Sequence, residues 1–485
     1  MKRHSHRGHH EHREKRDFAK MAISLDHNYA MAEFIGDLKG ITSEELEALA
    51  PDMAQVDQQL KAWRSQGSTG FFDLPYDDTT VQEIKGLAKQ LKEWHHDLLV
   101  LGIGGSVLGA RALHQALRPP AHNLFSLGER HYHTRFFVAD TIEPDSFYGL
   151  LHGLELQRTC VNVISKSGET PETTAQFLFV YNLLKGRLGA DKMRSRFIVT
   201  TDPEQGHLCR LAKQEGLHIL SVPPNVTGRF AVFSPVGLFP AAMVGIDIED
   251  LLAGARCMDQ RLQETPLADN LAYRLAALYF LAFRRKGCDI QVFMPYAASL
   301  AGIADWICQL WAESLGKKNA VDGSPASAGP TPVRAVGTTD QHSQLQLYLE
   351  GPANKLITFL EVEKFQHAMT IPSCGVEEMN YLEGRSLAEL LAVEKQATAL
   401  QLMKHGRPSL TLKLPEINPF TIGQVLYLLQ VTVAALGVLL NINPLDQPGV
   451  ESGKQATYGL LGRPGYEAWG QEIADTPLPL GKYMI

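Results

Sequence analysis

The chain has 485 residues, of which 45% are hydrophobic and 20% are charged, a composition typical of a globular protein with a sizeable core. At about 150 residues per domain, this length predicts two large domains or three smaller ones. The 46 Lys and Arg against 53 Asp and Glu give a net charge of −7, which argues against nucleic acid or an anionic membrane as the main partner. An anionic substrate would therefore have to be held by a local site.

The first 20 residues and the cysteines bear on the cellular compartment of the protein. Residues 1–20 contain five His and seven Lys or Arg, without an apolar period that would pack them and without the apolar region of a secretory signal. We expect a disordered His/Arg-rich tail, solvated or an expression appendage, rather than a tract that binds metal or nucleic acid. The six cysteines are scattered with no Cys-x-x-Cys spacing, which predicts a cytoplasmic protein.

Two α/β units are predicted in the body of the chain. In the first, over 75–245, short Leu-rich or β-branched runs bounded by Gly, Pro or Asp alternate with helical patterns. These runs predict strands at 97–103, 135–140, 160–165, 196–201 and 217–222. Such alternation is typical of βαβ units with a parallel sheet covered on both faces.

The second unit, over 246–440, has a looser pattern. It opens with a helical stretch at 247–287, and further runs predict strands at 289–294, 356–362 and 409–414, with helices at about 298–315, 385–404 and 419–440. The last helix is apolar enough to be weighed as a membrane span, but its Gln424 and Gln430 and the lack of close Lys or Arg favour a core helix. We expect a long functional loop at 319–340, a helical N-terminal arm at 21–74 and a C-terminal arm at 441–485.

The first motif is Gly102-Ile103-Gly104-Gly105-Ser106, between a predicted strand and a predicted helix. Glycines there let the backbone approach a ligand, and the N–H groups of a helix start attract anions. Val107 stands where a dinucleotide fingerprint needs its third glycine, and no Walker lysine follows. A tight turn that serves packing alone remains the alternative.

The second motif repeats this arrangement. The run Val161 to Ile164 leads into Ser165-Lys166-Ser167-Gly168-Glu169-Thr170-Pro171. Thr170 suits an N-cap and Pro171 a first helical residue, so hydroxyls and N–H groups gather at a helix N-terminus and predict a phosphate site. A capped helix start accounts for Thr170 but leaves Ser165 and Ser167 unexplained. Because parallel strands bind ligands at their carboxyl ends, two such turns on one sheet favour function.

Two further segments carry candidate chemical groups. Arg229 follows Gly228, near an apolar stretch where a fixed cation stabilises an oxyanion. Asp305, Gln309 and Glu313 form one polar stripe on an otherwise apolar helix, and a carboxylate beside its tryptophans is a candidate general base. The alternative, a surface pair of Glu313 with Lys317, is weakened because Gly316 is expected to end the helix before it.

His342, in Asp340-Gln341-His342-Ser343, and Lys454, in the segment 446–454, complete the candidates. A lone histidine is more often structural than catalytic, and a lone lysine is usually a solvated surface charge. Neither is singled out by its spacing.

Taken together and in this order, the six segments closely resemble the phosphoglucose isomerase (glucose-6-phosphate isomerase) family, in its compact bacterial form. The resemblance covers nearly the whole chain after the tail. It implies an α/β fold of two sugar-isomerase (SIS-type) doubly wound parallel-sheet domains with helical arms. It also implies a homodimer with a shared active site, a small phosphorylated sugar as substrate, and no metal or redox cofactor.

The resemblance further implies roles for single residues. Glu313 would shuttle a proton between C2 and C1, Arg229 would stabilise the cis-enediolate, and His342 from the partner subunit would open the sugar ring with Lys454. Substrate binding would fall to Gly105, Ser106, Ser165, Lys166, Ser167, Thr170, Gln309 and Gln447.

The sequence departs from the family pattern at Thr227, Ala231 and Leu445, which leaves the pose of Arg229 less defined. The implied reaction interconverts glucose 6-phosphate and fructose 6-phosphate. Two alternatives are an isomerase that also uses mannose 6-phosphate, and a non-catalytic sensor built on SIS domains. A sensor needs the hydroxyl-rich loop but not the four catalytic candidates together.

Overall fold

The computed structural model describes residues 22–476. The predicted tail at 1–20 lies outside the described residues, as do positions 477–485 of the predicted C-terminal arm. The N-terminal arm contains a short strand and three helices: β1 (Ser24–Asp26), α1 (Ala32–Ile35), α2 (Ser43–Glu47) and α3 (Ala50–Ser65). Helix α2 starts at a capping box, in which Thr42 and Glu45 satisfy each other's backbone N–H.

The first sheet confirms all five predicted strands, within one or two residues at each end. After α4 (Asp78–Lys92), the strands are β2 (Asp97–Leu101), β3 (Arg135–Ala139), β4 (Thr159–Ile164), β5 (Phe197–Thr201) and β6 (His218–Ser221). They are parallel, in the order β3-β2-β4-β5-β6. The helices that connect them are α5 (Leu108–Leu117), α6 (Pro144–His152), α7 (Pro171–Leu188), α8 (Ala190–Arg194) and α9 (His207–Glu215).

The order of this sheet places the two loop motifs side by side. The chain moves from β2 outward to β3 and then returns to β4 on the other side of β2, so the topology reverses between β2 and β4. Leu101 pairs with Val163 at the carboxyl ends of these two strands. The glycine turn follows β2 and the serine loop follows β4, so both lie at the switch point where open α/β sheets bind ligands.

The second sheet is reached through α10 (Pro235–Met243), α11 (Ile248–Glu264) and α12 (Leu271–Arg284). Its own elements are β7 (Ile290–Pro295), α13 (Ala301–Leu315), β8 (Lys317–Asn319), β9 (Pro325–Ala328), β10 (Thr331–Arg334), α14 (Leu345–Glu350), β11 (Lys355–Lys364), α15 (Leu387–Lys404) and β12 (Ser409–Glu416). The sheet order is β1-β12-β11-β7-β10, and all pairs except β1 with β12 are parallel.

Two features of this sheet differ from the sequence prediction. The predicted loop 319–340 contains β9, which pairs with β8 in a small hairpin, and β10, which extends the sheet beside β7. The N-terminal arm is also not wholly helical, because β1 adds an antiparallel edge strand. Each of these strands has only three or four residues, too few to show a period-two pattern.

The helix α16 (Pro419–Leu439) is the core helix that its sequence predicts. It passes the length and hydropathy test for a membrane span, yet 89% of its most apolar window is buried inside the protein. It packs against α11, α12 and α13. Asp259 on α11 accepts hydrogen bonds from Tyr427 of α16, Tyr76 and Arg64 of α3, and so joins the N-terminal arm to the core.

The described part of the chain ends with α17 (Pro448–Leu460) and α18 (Glu467–Ala474). Neither helix contains a buried residue. The two helices pack closely on each other where Gly459 faces Gly470. The two-sheet α/β architecture and the helical C-terminal arm are thus as predicted, while the exact domain boundaries at 75, 245 and 440 stay a prediction.

Candidate active site

The serine loop is built around its own hydroxyl groups. Ser165 is buried at the end of β4, and its Oγ lies 3.2 Å from the Oγ1 of Thr170 and accepts the N–H of Gly168. Thr170 is the N-cap residue of α7 and Pro171 its first residue, as predicted, but the Thr170 side chain makes no capping bond. Ser167 is exposed. The hydroxyls of Ser165 and Thr170 therefore lie together beside the first turn of α7, whose free N–H groups suit an anion.

Lys166 connects this loop to the segment that carries Arg229. Its Nζ donates to the carbonyl oxygen of Pro224 at 2.6 Å. Burial lowers the pKa of Lys166, while Asp202 acts in the opposite direction. The Lys166 ammonium is thus held by a hydrogen bond to a second segment of the site.

The glycine turn touches the start of the Arg229 segment. A Cβ atom on Gly105 would lie 2.5 Å from the carbonyl carbon of Gly228, so only glycine fits there. Gly104 has φ of +56°, and a Cβ there would lie 3.1 Å from the Nε2 of Gln309. Ser106 follows in the same turn and is half-buried. The turn predicted to line a sugar pocket is therefore next to both Arg229 and Gln309.

Arg229 is the centre of the site. Its side chain is only 1% exposed, and it makes five hydrogen bonds, which equals the number of donors in a guanidinium group. The acceptors are Ser314 Oγ at 2.7 Å, Glu313 Oε2 at 3.3 Å, Gln447 Oε1 at 2.8 Å, Pro444 O at 2.6 Å and Asp446 O at 3.0 Å. Burial lowers the pKa of Arg229, and the charge of Glu313 opposes that shift.

Glu313 lies on the polar stripe of α13, as the sequence predicts. Its Oε1 accepts the Nε2 of Gln309 at 2.8 Å, and its other oxygen accepts Arg229. The two tryptophans of α13 are buried, and the hydrogen-bond partners of the Glu313 carboxylate are the polar side chains of Gln309 and Arg229. Asp305, the first residue of the stripe, pairs instead with Arg334.

A cleft of about 490 Å³ leads away from this cluster. It runs between α5 and α13, and its lining includes Gln309, Arg111 and Gln115. The side chain of Glu313 is 33% exposed. The Glu313 side chain is therefore partly accessible to a small molecule, and the cleft reaches its neighbour Gln309.

Two predicted catalytic residues are not joined to the cluster within the described single chain. The Nζ of Lys454 on α17 bonds to Glu451, and its side chain is 45% exposed. His342 ends the 3-10 turn Thr339–His342 and is exposed. The structure thus brings together Arg229, Glu313, Gln309 and Gln447, next to the glycine turn.

Sequence reasoning missed several residues that hold the site together. Ser314 and the carbonyl groups of Pro444 and Asp446 fix Arg229, and Lys317 donates to the carbonyl of Glu313 rather than pairing with its carboxylate. A cation directly after a helix end is a recognised signal for such capping. The bonds of Arg229 to Pro444 and Asp446 carry no sequence signal, because they join segments more than 200 positions apart.

The serine loop is also tied to the C-terminal arm. The carboxylate of Glu169 accepts a hydrogen bond from Arg463 at 3.0 Å, its carbonyl oxygen accepts the hydroxyl of Tyr458 at 2.9 Å, and His207 lies 3.3 Å from the carboxylate.

Among residues 22–476, no group of His, Cys, Asp and Glu side chains is arranged to hold a metal ion.

Comparison with known proteins gives a consistent result. The family model described as phosphoglucose isomerase matches residues 82–464. The glucose-6-phosphate isomerase of Carboxydothermus hydrogenoformans is 43% identical over 463 residues, 93% of this chain and 97% of the relative. That of Rubrobacter xylanophilus is 43% identical over 433 residues, which cover 88% and 96% of the two chains.

Solved structures show the same fold. A hypothetical protein from Thermus thermophilus superposes with a TM-score of 0.81 at 35% identity, covering 91% of this chain and all of the other. A glucose-6-phosphate isomerase from Chlamydia trachomatis gives a TM-score of 0.71 at 22% identity, covering 82% of this chain and 76% of the other. The family model that matches most of the chain and the relatives at 43% identity show that the chain belongs to the phosphoglucose isomerase family.

Proposed function

We propose that the protein interconverts glucose 6-phosphate and fructose 6-phosphate through a cis-enediol intermediate. The observation that carries this proposal is the cluster in which Arg229 joins Glu313 and Gln447 beside the glycine turn. A sensor would need only the serine loop, whereas this cluster supplies a carboxylate and a fixed cation at one point. The relatives that cover most of the chain carry the name of this isomerase.

The serine loop would hold the phosphate. Ser165, Lys166, Ser167 and Thr170 line the switch point of the first sheet, and the N-terminus of α7 adds a partial positive charge. Gly105 and Ser106 would line the sugar, and Gln309 and Gln447 would hold its hydroxyl groups. An overall charge of −7 does not prevent this, because the contacts are local.

Proton transfer would be the work of Glu313. In the aldose-to-ketose direction it removes the proton from C2 and returns it to C1, while the hydroxyl proton moves from O2 to O1. The carboxylate thus ends the cycle as it began, and no electrons leave the substrate. A positioned general base contributes about 10²–10⁴-fold to such a step.

Arg229 would stabilise the enediolate that forms between the two proton transfers. Since all five of its donors are already occupied, one bond must be given up to the substrate. The 3.3 Å bond to Glu313 is the longest of the five. A substrate that enters between these two side chains frees one N–H for the oxyanion and one carboxylate oxygen for the proton, which favours the transition state over the ground state.

His342 and Lys454 would open the sugar ring. Their placement outside the cluster in a single chain fits a site that His342 completes from a second subunit, so we propose a homodimer with shared active sites. We also propose that the enzyme works in the cytoplasm, where it would catalyse one step of sugar-phosphate metabolism.

A coupled assay tests this function. The protein is supplied with fructose 6-phosphate, and an NADP-linked dehydrogenase reports the glucose 6-phosphate formed. Wild type should turn over, while Glu313→Gln should stay folded and lose activity by about 10²–10⁴-fold. Glu47→Gln, an exposed glutamate on α2, is the matched control and should keep full activity. Retained turnover in Glu313→Gln would refute the role of Glu313 as the base. The same assay started with mannose 6-phosphate shows whether the protein also accepts that sugar phosphate.

A further inference from the structure

Lys317 is a buried cation next to the cluster of Arg229 and Glu313. Its side chain is only 5% exposed. The Nζ atom donates to the carbonyl oxygens of Glu313 at 2.6 Å, Ser314 at 3.1 Å and Asp446 at 3.0 Å. An ammonium group has three protons, so these bonds use every donor of Lys317. The side chain therefore has no proton left with which to bind a substrate.

The three carbonyl groups belong to two different segments of the site. Glu313 and Ser314 lie in the last turn of α13, where carbonyls lack helical partners and carry partial negative charge. Asp446 lies just before Gln447, in the connection from α16 to α17. Lys317 thus bonds the helix that carries the proposed base to the segment that carries Gln447.

Arg229 holds the same segment from its own side. Its Nη2 donates to Pro444 O and Asp446 O, so Arg229 and Lys317 share the carbonyl oxygen of Asp446. Their proximity is unfavourable, since burial and the charge of Arg229 both lower the pKa of Lys317. The carboxylate of Asp446, 3.6 Å from the Lys317 Nζ, offsets part of this repulsion. A neutral residue at 317 would remove the repulsion but leave three carbonyls without this donor.

We propose that Lys317 is a positioning residue that sets the geometry between the Glu313 carboxylate, the Arg229 guanidinium and the Gln447 amide. The inference rests on the proposed function, because it concerns the alignment of its reacting groups. In the part of the chain that the structure describes, Lys317 makes no hydrogen bond to the serine loop. Loss of Lys317 should therefore impair the chemical step more than the binding of phosphate. A displacement of about 1 Å is enough to cost about 10²-fold in rate.

The kinetic test compares Lys317→Met with Lys318→Met. Lys318 is the next residue and is exposed, so it is a control for loss of one charge at this place. We expect Lys317→Met to lower kcat about 10- to 100-fold while KM changes by less than about threefold. Lys318→Met should match wild type. Both variants are assayed at a temperature well below the midpoint of their thermal unfolding, so that lowered stability alone does not lower kcat. An unchanged kcat, or a change confined to KM, overturns the proposal.

Hydrogen exchange separates this proposal from the proposed function. The backbone amides of Leu445 to Gln447 should exchange at least about tenfold faster in Lys317→Met than in wild type or Lys318→Met, whatever reaction the protein catalyses. If wild type fails to isomerise the sugar, the proposed function fails while this comparison still decides the role of Lys317. Unchanged exchange overturns the positioning role. If Lys317→Met does not fold, Lys317→Gln, which keeps two donors at shorter reach, carries both comparisons.

Discussion

Replacement of Arg229 by lysine tests the geometry of the site, because it keeps the charge and changes only the donors. The guanidinium makes five hydrogen bonds and is buried, whereas an ammonium has three protons. At least two acceptors therefore lose their donor. At about 1.5 kcal/mol for each hydrogen bond to a charged group, the free energy of unfolding should fall by about 3 kcal/mol.

The effect on catalysis should be larger than this loss of stability suggests. A planar guanidinium presents its two Nη atoms in a fixed orientation, and a flexible ammonium cannot reproduce that orientation. Loss of one well-placed donor at a developing oxyanion costs about 10²–10³-fold in kcat. We therefore expect kcat of Arg229→Lys to fall by about that factor in the coupled assay, with urea unfolding measured in parallel.

Arg194→Lys is the control for this experiment, because Arg194 forms an exposed ion pair with Asp191 on α8. It should leave both kcat and the free energy of unfolding unchanged within error. If Arg229→Lys kept a kcat within about twofold of wild type while folded, the five-bond geometry would not matter for the reaction. Stabilisation of the enediolate by Arg229 would then be refuted.

Three further predictions follow from other parts of the structure. Arg463→Met removes the partly exposed ion pair to Glu169 in the serine loop, and should raise KM about two- to fivefold with little change in kcat. Burial lowers the pKa of His95 to about 4, so the folded state resists protonation. The free energy of unfolding should thus fall as the pH falls from about 6.5 towards 4, by about 2 kcal/mol at pH 5, and His95→Gln should remove that part of the pH dependence. Tyr427→Phe removes a donor at 2.6 Å from the buried carboxylate of Asp259, and should cost about 1.5–3 kcal/mol in urea unfolding.

Matched variants make these three measurements decisive. Arg385→Met breaks the exposed pair of Arg385 with Glu389 of α15 and should leave KM unchanged. His405→Gln removes a ring that bonds to the carbonyl four residues earlier, as His95 does, but is exposed. Tyr381→Phe alters a hydroxyl on a 72% exposed side chain. An effect in a control equal to that in its partner would contradict the corresponding reasoning.

Most of the fold could be predicted because its signals are local. Strands such as β2 contain a continuous apolar run, Leu98 to Leu101, with a turn motif at the carboxyl end, and α16 is a long helix of mostly apolar residues. The three- and four-residue strands β1, β9 and β10 could not be predicted, since their pairing depends on a neighbour rather than on their own sequence. A sheet edge recruits such segments through backbone hydrogen bonds, which nearly every residue type can make.

The site could be predicted only in part, because only some of its residues belong to a local sequence pattern. The polar stripe on α13 singled out Glu313 and Gln309, and in the structure Glu313 accepts hydrogen bonds from both Gln309 and Arg229. The bonds of Lys317 and Arg229 to the 444–447 segment could not be found this way, because backbone carbonyls have no sequence signature. His342 and Lys454 stay predictions, since a single chain does not unite them with the cluster.

Deuterium incorporation followed by NMR tests most directly whether Glu313 transfers the proton between C1 and C2 of the sugar. Fructose 6-phosphate is incubated with the protein in D₂O, and the label at C1 of the ketose and C2 of the aldose is measured over time. If Glu313 carries a proton between these carbons, wild type should introduce solvent deuterium there, and Glu313→Gln should introduce none above background. Deuterium incorporation by Glu313→Gln at the wild-type rate would refute Glu313 as the base of the reaction.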